Sequence, residues 1–357
     1  MDSDAPYLPE EILTNILSRL PVKSLIRFQC VCKDWKNLFK TPSFMAEHVL
    51  HSTQQDSLLL LKSPGYKCNP EYVRLIHRDM QVLEYQTPPS SVRQRDIIGS
   101  SNGLVCLILM YKSSFILWNP ATREVLRVPK APNLYHTGIC DLGFGFSPIV
   151  NDYKIVLLSL SSLDDDGVYL VQVFSVSKWS WKEVEVGKLK GMVSFVAPGF
   201  SFDGAIFWFG FGCKPRFRAS KRFLISFDIA TESFALITIP KSSLTSESRL
   251  TTYDNKLAML SKSRVESTES FSIKLWVMEK RVGTSRKRWT WRKIYTSNPF
   301  PDRTYFLRSL TIWRNEIVIV GVTGGETVLV FCNLHTNEFK MLTMGKYSIG
   351  TVISAIS

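Results

Sequence analysis

A polar turn between two apolar runs occurs three times along the chain, and it constrains the fold more than any other feature. Its copies are residues 118–125, 227–234 and 331–339, and each carries Asn or Asp followed by Thr. The third copy reads as having one extra residue before its Asn. Because Asn, Asp and Thr side chains hydrogen-bond the local backbone, they close tight turns between strands. The repetition predicts a domain built from similar β units.

A second repeated pattern lies between these turns. Trp-Ser-Trp-Lys at residues 179–182 matches Trp-Thr-Trp-Arg at residues 289–292. Together with an apolar run near residues 58–89, the two patterns give about six units of roughly forty-five residues, which is typical of a β-propeller. No helical crossover pattern separates the runs, so a parallel α/β sheet is not expected. We expect the repeated aromatic residues to pack between units rather than to stack on a ligand.

The first fifty residues have a helical pattern instead. Apolar residues from Ile12 to Leu20 recur on one wide helical face, and Pro21 ends that segment. Three or four short helices of this length bury only a small core. Their apolar stripes are wider than the helices can cover among themselves. The pattern therefore predicts cover from the rest of the chain or from another protein, and leaves the choice between them open.

Charge and composition restrict the function classes. The chain has 357 residues and a net charge of +13. Residues 1–50 carry equal numbers of basic and acidic side chains, so the whole excess lies after residue 50. This excess favours an acidic partner, without choosing between an acidic protein, an RNA and a membrane surface. The acidic, proline-containing N-terminus is unlike a secretory signal, and no apolar run is long enough for a membrane span. We expect a cytoplasmic or nuclear protein with reduced cysteines.

No catalytic or cofactor pattern is apparent. The five histidines are isolated, the cysteines lack zinc spacing, and no Gly-x-Ser-x-Gly elbow occurs. The glycine-rich segments at 143–145 and 324–325 read as turns between strands, which are not phosphate cradles. No RNA-binding signature is present either. We therefore expect a non-catalytic protein without a metal or a cofactor.

Three segments of the helical region resemble the F-box motif of plants. They are Leu-Pro-Glu-Glu-Ile at residues 8–12, Leu-Pro at residues 20–21 and Val-Cys-Lys-Asp-Trp at residues 31–35. The resemblance implies binding of a Skp-type linker protein, which bridges to a cullin scaffold. It also implies that the docking surface or its supporting core contains Leu8, Pro9, Ile12, Leu13, Ile16, Leu20, Pro21, Leu25, Val31 and Trp35. Leu8, Pro9 and Pro21 are the expected direct contacts, and Trp35 is the expected core residue.

The remainder of the chain is similar to the F-box-associated, kelch-like interaction domain of plants. The residues that carry this resemblance are those at 101–106, 117–122, 143–146, 151–156 and 275–278. S-locus F-box proteins and defence regulators belong to the same broad group. The expected fold is mixed, with an all-α F-box at residues 1–50 and an all-β propeller-like domain of about six units at residues 55–357. The family role implies a non-catalytic substrate-recognition subunit of an SCF-type (Skp–cullin–F-box) ubiquitin ligase.

Two basic stretches are the candidate target contacts of the β domain. They contain Lys214, Arg216, Arg218, Lys221 and Arg222, and then Arg286, Lys287 and Arg288. Loops on a rigid scaffold commonly carry recognition, and an acidic protein target would suit this charge. Solvated hairpin tips and a nuclear-import signal are the other interpretations. The alternative function is a module that binds RNA or an acidic protein through these loops without a ligase role.

Overall fold

A computed structural model of the chain describes residues 8–55, 58–63, 72–76, 82–86, 95–109, 114–132, 139–160, 169–187, 193–212, 222–240, 248–265, 270–280, 289–301, 309–323, 326–343 and 351–356.

Four helices form the N-terminal region, as the sequence predicted. They are α1 (Glu10–Ser18), α2 (Val22–Phe28), α3 (Lys33–Leu38) and α4 (Pro42–Gln55). Prolines precede α1 and α2 and begin α4, where a missing N–H costs nothing. Cys32 caps α3, because its Sγ accepts a hydrogen bond from the Trp35 amide at 3.4 Å. Val31 lies in the turn before α3.

Twenty-five strands follow among the residues that the structure describes, and antiparallel pairing groups them into six sheets. Sheet 1 contains β1 (Leu58–Ser63), β2 (Tyr72–Ile76), β3 (Val82–Gln86) and the last strand, β25 (Thr351–Ile356). Sheet 2 contains β4 (Arg95–Ser101), β5 (Leu104–Leu109), β6 (Ser114–Trp118) and β7 (Val125–Arg127). Sheet 3 contains β8 (Ile139–Ser147), β9 (Asp152–Leu160), β10 (Tyr169–Ser175) and β11 (Ser180–Val184).

The remaining three sheets repeat this arrangement. Sheet 4 contains β12 (Val193–Phe202), β13 (Ala205–Gly212), β14 (Arg222–Asp228) and β15 (Ser233–Thr238). Sheet 5 contains β16 (Arg249–Tyr253), β17 (Lys256–Arg264), β18 (Ser270–Lys280) and β19 (Trp289–Thr296), and β20 (Phe300–Pro301) also pairs with β18. Sheet 6 contains β21 (Ser309–Trp313), β22 (Glu316–Thr323), β23 (Glu326–Asn333) and β24 (Phe339–Thr343).

The six sheets close into a ring, which confirms the predicted propeller. One edge strand of each sheet lies toward the centre of the ring; these strands are, in turn, β25, β4, β8, β12, β16 and β21. Each contacts the central strand of the next sheet, and β21 contacts β25. The last strand of the chain completes sheet 1 by pairing with β1, where Leu58 lies opposite Ile356. This pairing joins the two ends of the β domain, so that the first and last sheets do not leave open edges.

Apolar clusters fill the spaces between neighbouring sheets. One of them contains Phe115 and Leu117 of sheet 2 together with Phe144 and Phe174 of sheet 3. Trp181 packs on that cluster, and its indole N–H donates to the Pro129 carbonyl at 2.8 Å. The prediction that the repeated aromatic residues pack between units is therefore confirmed for Trp181.

The repeated polar turns are closed as their sequence predicted. Asn119 Oδ1 accepts hydrogen bonds from the amides of Ala121 and Thr122 at 3.0 and 3.2 Å. Asn333 Oδ1 bonds the amides two and three residues ahead in the same way. The expected extra residue in the third copy is wrong, because Cys332 pairs with Phe339 just as Trp118 pairs with Val125. Cys332 therefore takes the place of the aromatic residue, and the turn keeps its length.

The interpretation of residues 143–145 as a turn is also wrong, since both glycines lie inside β8. A Cβ on Gly143 would lie 2.5 Å from Trp208 Cζ2 and 2.7 Å from Ile206 Cγ2. A Cβ on Gly145 would lie 2.4 Å from Ser201 Oγ. These glycines allow sheets 3 and 4 to approach closely near the centre of the ring. The companion segment at 324–325 lies outside the described residues.

Gly143→Ala should therefore lower the free energy of unfolding by about 1–3 kcal/mol, as overpacking of a core does. Trp208 cannot yield easily, because it is fully buried and its indole N–H donates to the Leu142 carbonyl at 3.1 Å. Gly99→Ala in β4 is the matched control, since its Cβ would meet Phe144 only at 3.6 Å. Urea denaturation of both variants measures the difference. Equal stabilities would contradict the tight approach of the two sheets.

Candidate functional site

One face of α1 carries an exposed apolar row. Ile12 and Ile16 lie four residues apart in α1, and Leu8 precedes the helix by two residues; the three side chains are 49%, 47% and 51% exposed, respectively. Residues four apart lie on the same side of a helix. The opposite side of α1 carries Leu17, which is fully buried, and Leu13, which packs against the same core. The helix is therefore apolar on both sides, and only one side is used within the chain.

Three further apolar side chains of the helical region remain exposed. Val31 is 61% exposed, and Ile26 and Met45 are exposed as well. Burying a Val, Leu, Ile or Met side chain is worth about 1.5–3 kcal/mol, so leaving six of them in water forgoes considerable stabilisation. A surface of this kind is typical of a domain that is completed by a partner. We use the term α1 surface for these four exposed residues: Leu8, Ile12, Ile16 and Val31.

The structure divides the ten predicted docking residues into two groups. Leu8, Pro9, Ile12, Ile16, Pro21 and Val31 are exposed. Leu13, Leu20, Leu25 and Trp35 belong to the helical core around Leu17, Phe39 and Phe44. Trp35 packs against Phe28 with ring centroids 5.6 Å apart, in agreement with the core role expected for it. Ile26 and Met45 were missed, although Ile26 directly follows the buried Leu25 and so points to another side of α2.

Helix α1 is held on α4 by buried polar contacts. The Ser18 hydroxyl is completely buried and donates to the Asn15 carbonyl at 3.0 Å. It also lies 3.2 Å from Glu47 Oε1 of α4. His48 Nδ1 lies 2.8 Å from the Ser18 carbonyl oxygen, and because that oxygen can only accept, the ring nitrogen carries the proton. These contacts fix the orientation of α1, and therefore the direction in which the α1 surface faces.

The predicted basic target contacts fall mostly outside the described residues. This holds for Lys214, Arg216, Arg218, Lys221, Arg286, Lys287 and Arg288. Arg222 is described, and it is an exposed residue at the start of β14. Their role as target contacts stays a prediction.

The strand ends that flank the two basic stretches lie at opposite faces of the ring. In sheet 4, Gly212 and Arg222 lie at the end away from the turn at residues 203–204. In sheet 5, Lys280 and Trp289 lie at the same end as the turn at residues 254–255. In sheets 2 to 6 the first four strands follow one another in chain order from the centre of the ring to its outer edge. The turn between the first and second strands therefore lies on the same face of the propeller in each of these sheets. We therefore expect a single target surface to contact one of the stretches, not both.

A buried ion network joins sheets 3 and 4. Lys154 of β9 donates to Glu232 Oε1 at 2.5 Å and to the Ile229 carbonyl at 2.7 Å. Lys182 of β11 forms a second ion pair with the same carboxylate. Burial opposes ionisation of Glu232, but the hydrogen bonds from the two lysines outweigh it and lower its pKa. The network fixes the position of one sheet against the next, and sequence spacing did not reveal it.

Two cysteines of the propeller, Cys106 and Cys332, are buried. Burial raises the pKa of the Cys106 thiol and of the Cys332 thiol, so both favour the neutral form. Among the described residues, no group of three or more His, Cys, Asp or Glu side chains is placed to hold a metal ion. No helix in the described part of the chain is long and apolar enough to cross a membrane.

Comparison with known families agrees with both halves of this structure. Residues 6–46 match the F-box domain, and residues 49–351 match the F-box associated beta propeller domain. An F-box protein of Arabidopsis thaliana is 26% identical over 360 residues, which cover 93% of this chain and 81% of that protein. An F-box/kelch-repeat protein of the same plant is 26% identical over 314 residues, covering 83% and 78%.

Solved structures resemble the chain only distantly. TolB from Acinetobacter baumannii aligns with a TM-score of 0.47 and 11% identity, covering 88% of this chain and 73% of that one. A DUF4784 family protein from Bacteroides caccae gives a TM-score of 0.42 at 11% identity, with 84% of this chain and 73% of that one covered.

Proposed function

Because this chain belongs to the family of F-box proteins with an F-box associated β-propeller domain, we propose that it is the substrate-recognition subunit of an SCF-type ubiquitin ligase. The F-box docks a Skp-type linker protein, and through it a cullin, while the propeller captures the protein to be modified. The receptor itself performs no chemistry. It raises the concentration of its target near the ubiquitin-conjugating enzyme, which is an effect of proximity.

The α1 surface is the observation that carries this proposal. The helical core does not include Leu8, Ile12 and Ile16, and these apolar side chains are about half exposed to water. Polar residues at these positions would leave the fold of the helices unchanged, so the row serves something other than internal packing. Docking of the linker on Leu8, Pro9, Ile12, Ile16, Pro21 and Val31 accounts for it. Leu13, Leu20, Leu25 and Trp35 then support that surface from beneath.

Co-purification with a Skp-type linker protein tests the proposal. The wild-type chain should retain the linker in a stoichiometric complex, and Leu8→Asp/Ile12→Asp should lose at least about 99% of it, since two buried apolar contacts are replaced by charges. Leu126→Asp on β7 is the matched control, because Leu126 is 48% exposed and lies in the propeller. The control should bind the linker as the wild type does.

The proposal would be contradicted if the wild-type chain were folded but did not retain the linker. The helices would then be a cap on the propeller, and the alternative function, binding of RNA or an acidic protein through the basic loops, would be tested next. For RNA, the mark would be an affinity that falls steeply with salt concentration. The proposed target contacts on the β domain are one of the two basic stretches named above, either the stretch that ends at Arg222 or the stretch with Arg286, Lys287 and Arg288. The proposed location is the cytoplasm or the nucleus.

A further inference from the structure

The two tryptophans of the first Trp-x-Trp pattern differ in their surroundings. Trp181 packs between sheets 2 and 3, whereas Trp179 is 41% exposed and touches Phe174 only with a ring edge, at a centroid distance of 5.3 Å. Trp179 also has a positive φ of 52°. A bulky side chain rarely adopts this left-handed conformation, because its Cβ crowds the backbone. Packing on Phe174 therefore accounts for only part of the tryptophan side chain at this position.

The turn that contains Trp179 is held by hydrogen bonds to Asp152 on the neighbouring strand β9. The equivalent left-handed positions of the turns in sheets 2, 4 and 6 are Arg123, Glu232 and Asn337. In sheet 3 the carboxylate of Asp152 accepts hydrogen bonds from Ser175 Oγ at 2.6 Å and from the Ser177 amide at 2.8 Å. Ser175 Oγ in turn accepts one from the Lys178 amide at 3.2 Å. These hydrogen bonds hold the backbone of the turn, including the left-handed Trp179, in place before any partner binds, which reduces the entropy lost on binding.

A second apolar turn lies at the same end of sheet 3. It joins β8 to β9 and contains Ile149, which is 81% exposed, and Val150, which is also exposed. Asp152 follows this turn directly and is the residue that bonds the turn of Trp179. The two turns are therefore connected and present Ile149, Val150 and Trp179 at one face of the ring. We name these three residues with Lys178 the sheet 3 patch.

The charges around the patch are arranged asymmetrically. In residues 147–152 and 175–180, Lys178 is the one exposed charged side chain, because Asp152 is buried and used within the turn. On the sheet 4 side, Gly204 approaches Pro148, and the exposed Asp203 precedes it. An acidic group on a ligand is attracted by Lys178 and repelled by Asp203. The β domain as a whole carries the chain's excess positive charge.

We propose that the sheet 3 patch is a target-binding subsite, which takes a protein segment that has an apolar side chain beside an Asp or Glu. The apolar side chain packs on Trp179 and Ile149, and the carboxylate lies toward Lys178. This inference deepens the proposed receptor function and rests on it. Tryptophan anchors with an apolar neighbour are typical of the residues that dominate binding affinity at interfaces.

Selection from a phage-displayed library of random 12-residue peptides tests the subsite on the full-length chain. The wild type should enrich peptides with an aromatic or aliphatic residue next to Asp or Glu. The best peptide, made synthetically, should bind Trp179→Asn and Ile149→Ser at least about tenfold more weakly. Lys178→Glu should abolish the preference for acidic residues. Leu126→Ser, an equally apolar exposed site on β7, should bind like the wild type.

The melting temperature separates binding from folding. Asn tolerates the left-handed conformation, as Asn337 does in the equivalent turn, so Trp179→Asn should melt no lower than the wild type while it binds more weakly. A lower melting temperature together with unchanged peptide affinity would assign Trp179 to structure and overturn the inference. So would enriched peptides that bind all variants equally, or a dimer in light scattering that Trp179→Asn dissolves.

Linker binding, measured on the same preparations, distinguishes the two proposals. If the chain binds the Skp-type linker but selects no peptide that depends on Trp179, the subsite is wrong and the receptor role stands. If it selects such peptides but does not bind the linker, the receptor role fails while the patch remains a peptide-binding surface.

Discussion

Glu232→Ala should lower the free energy of unfolding at pH 7 by about 3–5 kcal/mol, because it leaves the buried ammonium group of Lys154 without its carboxylate. The pKa of Glu232 is lowered in the folded protein, so its ionised form stabilises the fold above the pKa of the unfolded carboxyl. That contribution is lost as the pH falls through the folded pKa. The difference between wild type and variant should therefore shrink below about pH 4. Denaturant unfolding at pH 7 and in acid measures both effects.

Glu279→Ala is the matched control for this prediction. Its partner Arg292 donates to it from Nη2 at 2.7 Å, but the pair is exposed, and such pairs contribute little. The double variant Lys154→Met/Glu232→Met should recover most of the lost stability, since it removes both buried charges. An effect of Glu232→Ala no larger than that of Glu279→Ala would contradict a buried network between sheets 3 and 4.

Asp141→Asn should remove a pH dependence that the wild-type chain shows between pH 5 and 8. Asp141 is buried in β8, and burial raises its pKa to about 7. In the unfolded chain the same carboxyl titrates near pH 4, so the folded state holds the proton more tightly. The contribution of Asp141 to stability is therefore greatest below about pH 4 and falls as the pH rises to 7. From pH 5 to 8 the wild type should lose roughly 2–3 kcal/mol through this group.

Urea denaturation at pH 5 and pH 8 checks this expectation. The Asn variant has no proton to lose at residue 141, so the loss should be smaller in the variant by about the same 2–3 kcal/mol. Other titrating groups contribute equally to both proteins and cancel in the comparison. An identical change in the two proteins would mean that the Asp141 carboxyl is hydrated and titrates normally.

The features predicted correctly from sequence are those set by local chemistry. Asn119 and Asn333 close their turns with their own neighbours, so the residue types alone determined the contacts. Pro21 likewise ended the first helical segment, as a proline does through its own backbone geometry. Repetition of such local signals was enough to identify the propeller. The family motif likewise identified residues of the helical docking region.

The features that sequence missed depend on residues distant in the chain. The sequence predicted a turn at Gly143, because the side chain that leaves no room for a Cβ there, Trp208, lies on another sheet. The turn at Ser175 carries no Asn or Asp, and its cap comes from Asp152 on a neighbouring strand. The docking residues could not be divided into surface and core, since Leu13 and Ile12 are adjacent in sequence and differ only in what packs against them.

Hydrogen–deuterium exchange of the full chain, with and without a Skp-type linker protein, tests the central claim most directly. Amide exchange reports opening at individual segments, so it separates the helical region from the propeller in one measurement. The proposed function predicts that the linker slows exchange within residues 8–31 and leaves the strands of sheets 2 to 6 unchanged. Two results would contradict docking through the α1 surface. One is exchange that slows in the propeller but not in α1, and the other is exchange that changes nowhere at saturating linker.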